Sequence, residues 1–307
     1  MRIFTIGETV FDIIFKNNHP VAAKAGGATL NTSVTLGKLK LPVHFLSEFA
    51  YDKTGDIVYD FLEKNGVNTT YVNRFHAGKT AIALAYLDDK NEADYSFYKI
   101  FPDERGKFKK IDFREGDILL FDSVFANNKK VRKPVLKIIK EAAAQSVIII
   151  YDPNFRKAHI NELEQVRPLI LENISLADIV RGSDEDFQLI FNTSSPEDAW
   201  KIIKEQACKM LIYTKNKFGV ELLSRGMQEH FPVKPIKPVS TIGAGDNFNA
   251  GLIYGMFKKG ISKSELTKLD KETWQSLIGY GIRFAENVCL HYENYISDDL
   301  AERLLKK

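Results

Sequence analysis

A glycine-rich turn at residues 241–246 carries the residues whose types and spacing point most directly to chemistry. It reads Thr-Ile-Gly-Ala-Gly-Asp, and apolar residues recur after it at helical spacing, at Phe248, Leu252, Ile253, Met256 and Phe257. Gly243, Ala244 and Gly245 would therefore lie at a helix N-terminus, where backbone N–H groups lack intrahelical acceptors. Such donors, together with the positive end of the helix dipole, suit a bound phosphate.

Asp246 ends this turn and is the candidate catalytic base. A carboxylate beside a bound phosphate can accept the proton of an attacking hydroxyl, while the amides neutralise the charge that develops on the transferred group. Taken alone, the stretch favours a simpler interpretation, an aspartate helix cap after a glycine loop, because glycine-rich turns before helices are common. The rest of the chain has to decide between the two.

A second glycine turn, at Gly26 and Gly27, also leads into a helical pattern. Asn31 lies one turn into that helix and offers both a donor and an acceptor, which recognition of a vicinal diol requires. Asp12 follows the first predicted strand and is a candidate contact to sugar hydroxyls, with a turn aspartate as the alternative. These residues predict a candidate site for a sugar as phosphoryl acceptor, in addition to the candidate phosphate site.

Short apolar strands alternate with helical segments through most of the chain, which predicts an α/β fold with a doubly wound, mostly parallel sheet flanked by helices. The predicted strands are 2–7, 43–49, 117–121, 147–151, 177–180 and 210–214. The predicted helices include 52–66, 131–145, 184–191, one that begins at Ser195-Pro196, and 274–290. In the helix 52–66, the residues predicted to face inward are Ile57, Val58, Phe61 and Leu62.

Residues 70–101 show a different pattern. Ile82, Leu84 and Tyr86 alternate with smaller residues, and alternation resumes at Tyr95 and Phe97 after a polar turn at 88–91. This predicts an antiparallel hairpin, which we assign, with part of 11–24, to a small β lid on a single domain spanning 1–307. An exposed face of such a lid could pair with a second lid, so a homodimer is plausible.

The composition favours a globular enzyme. A chain of 307 residues with 44% hydrophobic and 27% charged residues can bury a sizeable core. The 43 basic and 40 acidic residues are interspersed, so neither a nucleic-acid nor a membrane partner is predicted. Cys208 and Cys289 lie far apart, which fits a reducing cytoplasm, and no apolar run approaches transmembrane length.

Three polar segments fall at predicted carboxyl ends of strands, where ligands bind in open α/β sheets: 151–156, 181–186 and 214–219. In the first, Arg156 could clamp substrate or phosphate. In the second, Asp186 could order the hydration shell of Mg²⁺, which usually keeps several waters. Each segment alone is more typical of a turn or cap, but their shared edge favours a site.

Gly26-Gly27 with Asn31, and Thr241 to Asp246, resemble the two signatures of the PfkB, or ribokinase-like, carbohydrate kinases, from residue 2 to about 296. The resemblance implies ATP as phosphoryl donor, Mg²⁺, a sugar acceptor, and Asp246 as base. It also implies an anion hole at Gly243, Ala244 and Gly245, and sugar contacts at Asp12, Gly26, Gly27 and Asn31. The nucleotide contacts that it implies are Ser183, Thr214, Asn216, Gly219, Gly243, Gly245 and Asn287.

The segment from Asp152 to Arg156 is similar to the DxNxR element of the fructokinase and 2-keto-3-deoxygluconate kinase branches. It implies sugar contacts at Asn154 and Arg156 and favours fructose, with 2-keto-3-deoxygluconate, ribose or a nucleoside as alternatives. The departures from the family pattern are Ser240 in place of an aspartate, Ser183 and Asp186 in place of Asn and Glu, and Asn216 in place of a glycine. The first argues against a bound monovalent cation such as K⁺.

Other phosphate-binding motifs fail on spacing. A P-loop ending at Gly78-Lys79-Thr80 would need a glycine where Asn73 stands, and a dinucleotide fingerprint starting at Gly243 would need one where Phe248 stands. The alternative from another class is a non-catalytic sugar-binding regulatory protein with the same fold. The presence of Asp246 beside both glycines argues against it.

Overall fold

The computed structural model describes residues 1–88 and 93–306, so the predicted polar turn beyond Asp88 lies outside the described residues. These residues form fourteen strands and ten α-helices. The strands are β1 (Ile3–Ile6), β2 (Val10–Lys16), β3 (His19–Gly26), β4 (Val43–Leu46), β5 (Glu48–Ala50), β6 (Asn73–Phe75), β7 (Lys79–Leu87), β8 (Ala93–Ile100), β9 (Ile118–Asp122), β10 (Ile148–Asp152), β11 (Ile179–Ser183), β12 (Met210–Thr214), β13 (Val220–Ser224) and β14 (Gln228–Phe231).

The helices are α1 (Ala28–Lys38), α2 (Lys53–Lys64), α3 (Ser123–Ala126), α4 (Arg132–Ala144), α5 (Leu163–Leu176), α6 (Asp184–Phe191), α7 (Pro196–Glu205), α8 (Ala244–Lys259), α9 (Lys271–Cys289) and α10 (Asp298–Leu305). Short 3₁₀ helices cover Lys157–Glu162, Asn216–Phe218 and Leu266–Lys268. Within the described part of the chain, none of the helices combines the length and the apolar character needed to cross a bilayer.

Eight strands form the main sheet in the order β14-β13-β12-β11-β10-β9-β1-β4. The strands from β12 to β4 run parallel, and β13 and β14 are antiparallel additions at one edge. The predicted mostly parallel sheet is therefore confirmed. The chain proceeds outward from β1 to β4 on one side and from β9 to β12 on the other. The topological switch therefore lies between β1 and β9, where a ligand crevice is expected.

The main sheet is covered on both faces, which confirms the doubly wound arrangement. Alternate strand residues enter two separate cores: Ile118 and Leu120 pack with α1, α8, α9 and α10, whereas Leu119 and Phe121 pack with α4 to α7. Because both faces are buried, these strands read in the sequence as continuous apolar runs rather than as alternating ones.

The lid is a separate four-stranded sheet in the order β3-β2-β7-β8. β7 and β8 pair antiparallel, as the alternation predicts, and β2 pairs parallel with β7. Ala81, Ala83 and Ala85 of β7 are buried, so the larger Ile82, Leu84 and Tyr86 share the opposite face. β6, inside the interval expected for the lid, pairs instead with β5 in a small sheet of its own.

Three local predictions need correction. The single strand predicted at 43–49 is two, because the chain leaves the main sheet after Leu46 and pairs with β6 through a hydrogen bond of 2.9 Å from Asn73 N to Ser47 O. Ile57 is 53% exposed, since the buried face of α2 runs through Val58 and Leu62. Strands β9 and β10 each extend by one residue, so that Asp122 and Asp152 end them.

Candidate active site

Helix α8 begins without a side-chain cap. Its N-cap, Gly243, has φ 80°, and a β-carbon there would lie 2.9 Å from Asn294 O. Glycine suits this position because it adopts a positive φ readily and has no β-carbon to contact Asn294. Ala244 N–H, expected to be free, donates to Thr241 O at 3.3 Å. In the part of the chain that the structure describes, the N–H groups of Gly245 and Asp246 have no backbone acceptor. The turn therefore keeps free donors at the positive end of a 16-residue helix.

Asp246, in the glycine turn before α8, contacts the helix that follows the other glycine turn, α1. Its carboxylate is buried and accepts a hydrogen bond of 2.8 Å from Asn31 Nδ2, and Thr32 Oγ1 donates to its backbone carbonyl at 2.8 Å. Burial raises the pKa of Asp246 to about 6, opposed by the Asn31 hydrogen bond and the charge of Arg156. The predicted base is thus held in place by a predicted sugar contact.

Gly26 and Gly27 leave room for lid strand β2 and for the chain just before it. A β-carbon on Gly26 would lie 2.2 Å from Asp12 Oδ2, and one on Gly27, which has φ 137°, would lie 2.2 Å from Glu8 O. Asp12 pairs in register with Lys24 across β2 and β3. Burial raises the pKa of Asp12 to about 6, and the charge of Lys24 opposes this. The Asp12 carboxyl group therefore lies directly against Gly26 of the glycine turn.

A buried polar network lies beneath the α8 turn. Arg181 Nη1 contacts Asp152 Oδ2 at 3.0 Å, Arg181 Nη2 donates to Thr214 Oγ1 at 3.0 Å, and Asn249 Nδ2 donates to Asp152 Oδ2 at 2.6 Å. The network joins the ends of β10 and β12, through Arg181 in the middle of β11, to α8. Arg181 Nε, Asn249 Oδ1 and Asn31 Oδ1 are buried without a hydrogen-bond partner among the described residues. Buried polar atoms without partners are rare in proteins, so their concentration here marks a polar binding region.

Asp122 adds a further buried carboxyl group at the topological switch. It ends β9 and caps α3 by accepting a hydrogen bond of 3.2 Å from Phe125 N, and a β-carbon on Gly7 would lie 2.4 Å from its Oδ2. Burial raises the pKa of Asp122 to about 7, and the nearby carboxylates of Glu8, Asp152 and Asp246 add to the shift. Asp122 therefore lies near several other carboxyl groups at this end of the sheet.

Asn154 and Arg156 lie on the lid side of the same edge. Asn154 has φ 40° and its N–H donates to Asp152 Oδ1 at 3.0 Å. Arg156 is exposed, and its charge acts both on Asp246 and on Tyr95 of lid strand β8. Asn154 also lines a cavity of about 220 Å³ with Lys99 of the lid. Asn154 therefore lies beside the lid, and Arg156 lies close enough to both Asp246 and the lid for its charge to act on each.

Several residues predicted to contact a nucleotide lie at the ends of β11 and β12. Ser183 is the N-cap of α6, and its hydroxyl forms a capping box with Asp186, whose other oxygen accepts a hydrogen bond of 2.7 Å from Phe155 N. Burial raises the pKa of Asp186, and the nearby Asp152 adds to this. Thr214 ends β12. Asn216 has φ 46°, a left-handed conformation that asparagine tolerates and that also suits the glycine of the family pattern.

The loop after Thr214 closes on Gly219. Lys215 N donates to Gly219 O at 2.8 Å, and a β-carbon on Gly219, which has φ 93°, would lie 2.5 Å from Phe231 O. This tight loop presents its backbone at the carboxyl end of the sheet, beside Thr214.

The comparisons with known proteins agree with this geometry. Residues 2–269 match the model of the pfkB family carbohydrate kinases. The chain belongs to this family. It is therefore a sugar kinase, a phosphotransferase with an alcohol group as acceptor, and the resemblance drawn from the two glycine signatures is confirmed.

Individual carbohydrate kinases resemble the chain over most of its length. It is 26% identical to a fructokinase from Escherichia coli over 268 residues. The matched stretch covers 86% of this chain and 87% of that protein. The chain matches the structure of a fructokinase from Vibrio cholerae O395 with fructose, ADP and calcium at TM-score 0.85 and 19% identity, over 99% of this chain and 98% of that one. An aminoimidazole riboside kinase from Salmonella enterica, with aminoimidazole riboside and an ATP analog, matches at TM-score 0.81 and 18% identity over 100% of both chains. These two structures establish the ribokinase-like fold with its lid.

Two residues considered for this kinase from the sequence take part in other contacts. The side chain of Asn287 in α9 accepts a hydrogen bond of 2.8 Å from Ser297 N and donates to Ser297 Oγ at 3.2 Å, so both ends of its amide hold the start of α10. Ser240 Oγ accepts a hydrogen bond of 3.2 Å from Ile242 N within the loop before α8. Neither side chain reaches Asp246.

Four polar residues contact or neighbour the predicted site residues but are not among the candidates drawn from the sequence: Asp122, Arg181, Asn249 and Lys24. Asp122 has a usable signal, since it lies at the carboxyl end of β9, whereas Arg181 is a charged residue in the middle of the apolar strand β11. Asn249 follows Asp246 by three positions on one helix and so shares its face. Lys24 Nζ reaches Tyr292 O at 2.9 Å and Asn294 Oδ1 at 3.1 Å, a contact across the fold that no local pattern indicates.

Proposed function

We propose that this carbohydrate kinase transfers the γ-phosphoryl group of MgATP to fructose, with Asp246 as general base. The observation that carries the proposal is the placement of a buried carboxylate with a pKa of about 6 on the first turn of α8, beside the free N–H groups of Gly245 and Asp246. A base with that pKa is ionised at neutral pH and still basic enough to accept a hydroxyl proton.

The chemistry follows from this geometry. The sugar oxygen forms a bond to the γ-phosphorus, the bond from that phosphorus to the bridging oxygen of ADP breaks, and the hydroxyl proton moves to Asp246. The turn at Gly243, Ala244 and Gly245 serves as the anion hole for the charge on the transferring group, with the free N–H groups of Gly245 and Asp246 as its donors, since Ala244 N–H donates to Thr241 O. Closure of the lid over the acceptor excludes water and suppresses hydrolysis of ATP.

Mg²⁺ supplies positive charge to the phosphate oxygens when it is bound with ATP. Among the described residues, no group of three or more His, Cys, Asp or Glu side chains could hold a metal ion. Both oxygens of Asp186 already accept hydrogen bonds, from Phe155 N at 2.7 Å and from Ser183 at 2.7 Å and 2.6 Å. Asp186 therefore fits Mg²⁺ through a water molecule, as expected for an ion that keeps several waters.

The remaining contacts divide into an acceptor set and a nucleotide set. We assign the sugar to Asp12, Gly26, Gly27, Asn31, Asn154 and Arg156. We assign the nucleotide to Ser183, Thr214, Asn216, Gly219, Gly243, Gly245 and Asn287. The Asn287 assignment rests on family resemblance alone, since its side-chain amide bonds to Ser297.

Fructose is the favoured acceptor because fructokinases recur among the relatives and because the segment from Asp152 to Arg156 is similar to the DxNxR element of the fructokinase branch, with Arg156 close enough for its charge to act on Asp246. An aminoimidazole riboside kinase is also among the relatives, at 22% identity over 256 residues. This keeps a nucleoside acceptor as the second candidate. Ribose and 2-keto-3-deoxygluconate remain the further alternatives within the family.

An ADP-release assay with fructose, ribose, adenosine, aminoimidazole riboside and 2-keto-3-deoxygluconate tests the proposal. We expect the highest kcat/KM with fructose. A clear preference for ribose or a nucleoside would contradict the fructose assignment. A rise in melting temperature with sugar but no ADP release from any acceptor would instead indicate a non-catalytic sugar-binding protein.

The lid also supports a homodimer. One of its faces carries Ile13, Leu84, Phe15 and Tyr86 in register, and Phe15 stacks on Tyr86 at 5.1 Å. Tyr98, opposite Ile82 on the same face, is 59% exposed. A second lid would cover this apolar surface. Light scattering after size exclusion should give a dimer mass, and Leu84→Glu should give a monomer; a monomeric wild type would refute the pairing.

A further inference from the structure

Arg181 lies where the phosphoryl group is proposed to transfer, although neither glycine signature contains it. Its side chain is 7% exposed, and a β-carbon on Gly245 would lie 2.6 Å from Arg181 Nη1. The guanidinium therefore occupies the space beside the second residue of α8 that a side chain would need. Gly245 serves here to admit a cation against the helix N-terminus, and not only to free the backbone.

The guanidinium also joins the two sides of the site. One nitrogen, Nη2, donates to Thr214 Oγ1 at 3.0 Å on the nucleotide side, and the other, Nη1, contacts Asp152 Oδ2 at 3.0 Å on the acceptor side. Asp152 in turn accepts from Asn249 Nδ2 at 2.6 Å, three residues after Asp246 in α8. The Arg181 side chain thus connects the ends of β10 and β12 to the helix that carries the base.

We propose that Arg181 is a positioning residue for phosphoryl transfer: it fixes the α8 turn against the nucleotide strand and places a permanent positive charge behind the amides of that turn. The inference rests on the proposed function. A guanidinium stays charged at all working pH values, so its field adds to that of the helix dipole where negative charge develops. Preorganised charge in a buried site acts more strongly than the same charge in water.

Arg181 also acts on the base. Several groups face Asp246: Asn31 from α1, Asp122 from β9, Asp152 from β10, Arg156 after β10, and Arg181 from β11. Burial is the main cause of the raised pKa of Asp246, Arg156 and Arg181 lower it, and Asp152 raises it. Removing the charge of Arg181 should therefore raise this pKa, whereas removing that of Asp152 should lower it.

A purely structural role predicts different behaviour. If Arg181 only neutralised Asp152, its replacement would lower the melting temperature, while the folded enzyme would keep its kcat and its pH profile. A positioning role predicts a fall in kcat with little change in the affinity for nucleotide. These two outcomes can be separated by kinetics on the folded enzyme.

The test uses Arg181→Gln, Arg181→Lys and the exposed control Arg303→Gln in the full chain, with the acceptor that the ADP-release assay selects. We expect Arg181→Gln to lower kcat about 100-fold and to move the acid limb of kcat/KM to higher pH. Arg181→Lys, which keeps the charge, should recover about tenfold of that loss. Arg303→Gln should match the wild type, and a non-hydrolysable ATP analogue should bind all variants within about threefold by calorimetry.

The Asp152→Asn variant gives the opposite sign. Its acid limb should move to lower pH, because a like charge beside Asp246 is removed.

A double-mutant cycle adds a measurement that stays informative if Arg181→Gln folds poorly. Gly245→Ala should lower kcat less in the Arg181→Lys background than in the wild type, since the shorter reach of lysine leaves room for the methyl group.

Two failures are distinguishable. The proposed function fails if the wild type releases no ADP with any acceptor. The Arg181 proposal fails if the wild type is active while Arg181→Gln keeps kcat within twofold and leaves the acid limb in place.

Discussion

The N-termini of helices α6 and α8 lie at the same edge of the sheet, and each carries an aspartate at its third position. In α6, Ser183 and Asp186 form a reciprocal capping box, so the carboxylate returns to its own helix. In α8, the N-cap is Gly243, no side chain caps the helix, and Asp246 accepts its hydrogen bond from Asn31 of another helix. The same local pattern, an aspartate one turn into a helix, therefore has two different outcomes.

This difference determines at which helix end the backbone N–H groups remain free to bind a ligand. Capping removes free N–H groups from a helix end and stabilises it, whereas an uncapped end retains both the donors and the dipole for a ligand. The α8 end also lies above the Arg181 network, while Asp186 ties α6 to Phe155. We infer that the α6 end chiefly supports structure and that the α8 end performs the chemistry. Four predictions test this division.

The largest effect is expected for Asp246→Asn. The substitution keeps the size of the side chain and removes the base, so kcat should fall by about 10³-fold or more while the sugar still binds. Steady-state ADP release and calorimetry with sugar measure the two quantities. Activity near the wild-type level would mean that Asp246 is not the base.

The second effect concerns the glycine that begins α8. Gly243→Ala forces a β-carbon into a left-handed backbone with φ 80° and to 2.9 Å from Asn294 O. The turn should shift, and kcat should fall about 10- to 100-fold, as expected when one anion-hole donor is displaced. Gly260 ends the same helix with φ 65°, and a β-carbon there would meet nothing within 4 Å, so Gly260→Ala is a matched control. It should cost only about 1 kcal/mol of stability and no activity.

The third effect is the pH profile of the wild type. Because burial raises the pKa of Asp246 to about 6, the base is protonated and inactive below that pH and ionised above it. The value of kcat/KM should therefore fall about tenfold per pH unit on the acid side and level off above neutrality. A profile that stays flat down to about pH 5 would exclude Asp246 as the base.

The smallest effect is expected at the other helix end. Asp186→Ala leaves Ser183 N and Phe155 N without their acceptor and should destabilise the fold by about 1–3 kcal/mol, measured by denaturant unfolding. Asp198 in α7 forms the same Ser-to-Asp contact at an exposed helix start. Asp198→Ala should destabilise the fold less, because its carboxylate is largely in contact with solvent. A loss of kcat at Asp186 as large as that at Asp246 would contradict the division between the two ends.

Much of the fold could be predicted from local patterns. Buried strands such as β9 and β10 read as apolar runs, and Ser195-Pro196 predicts the start of α7, because these signals depend on nearest neighbours along the chain. Ile57 was placed on the wrong face, since helical spacing defines a face but not how far it extends around the helix. Strand 43–49 was read as one, because the pairing partner of β5 lies more than twenty residues away.

The sequence by itself determined the family, the α/β architecture and the identity of the candidate base, because glycine turns and strand ends are fixed by short-range backbone requirements. Only the tertiary structure decided which aspartate is returned to its own helix and which faces a partner. It also decided that Asn31 holds Asp246, and that Arg181 lies behind Gly245. The physical reason is that burial, charge proximity and hydrogen-bond pairing depend on distances between residues far apart in the chain, and those distances exist only once the sheet has folded.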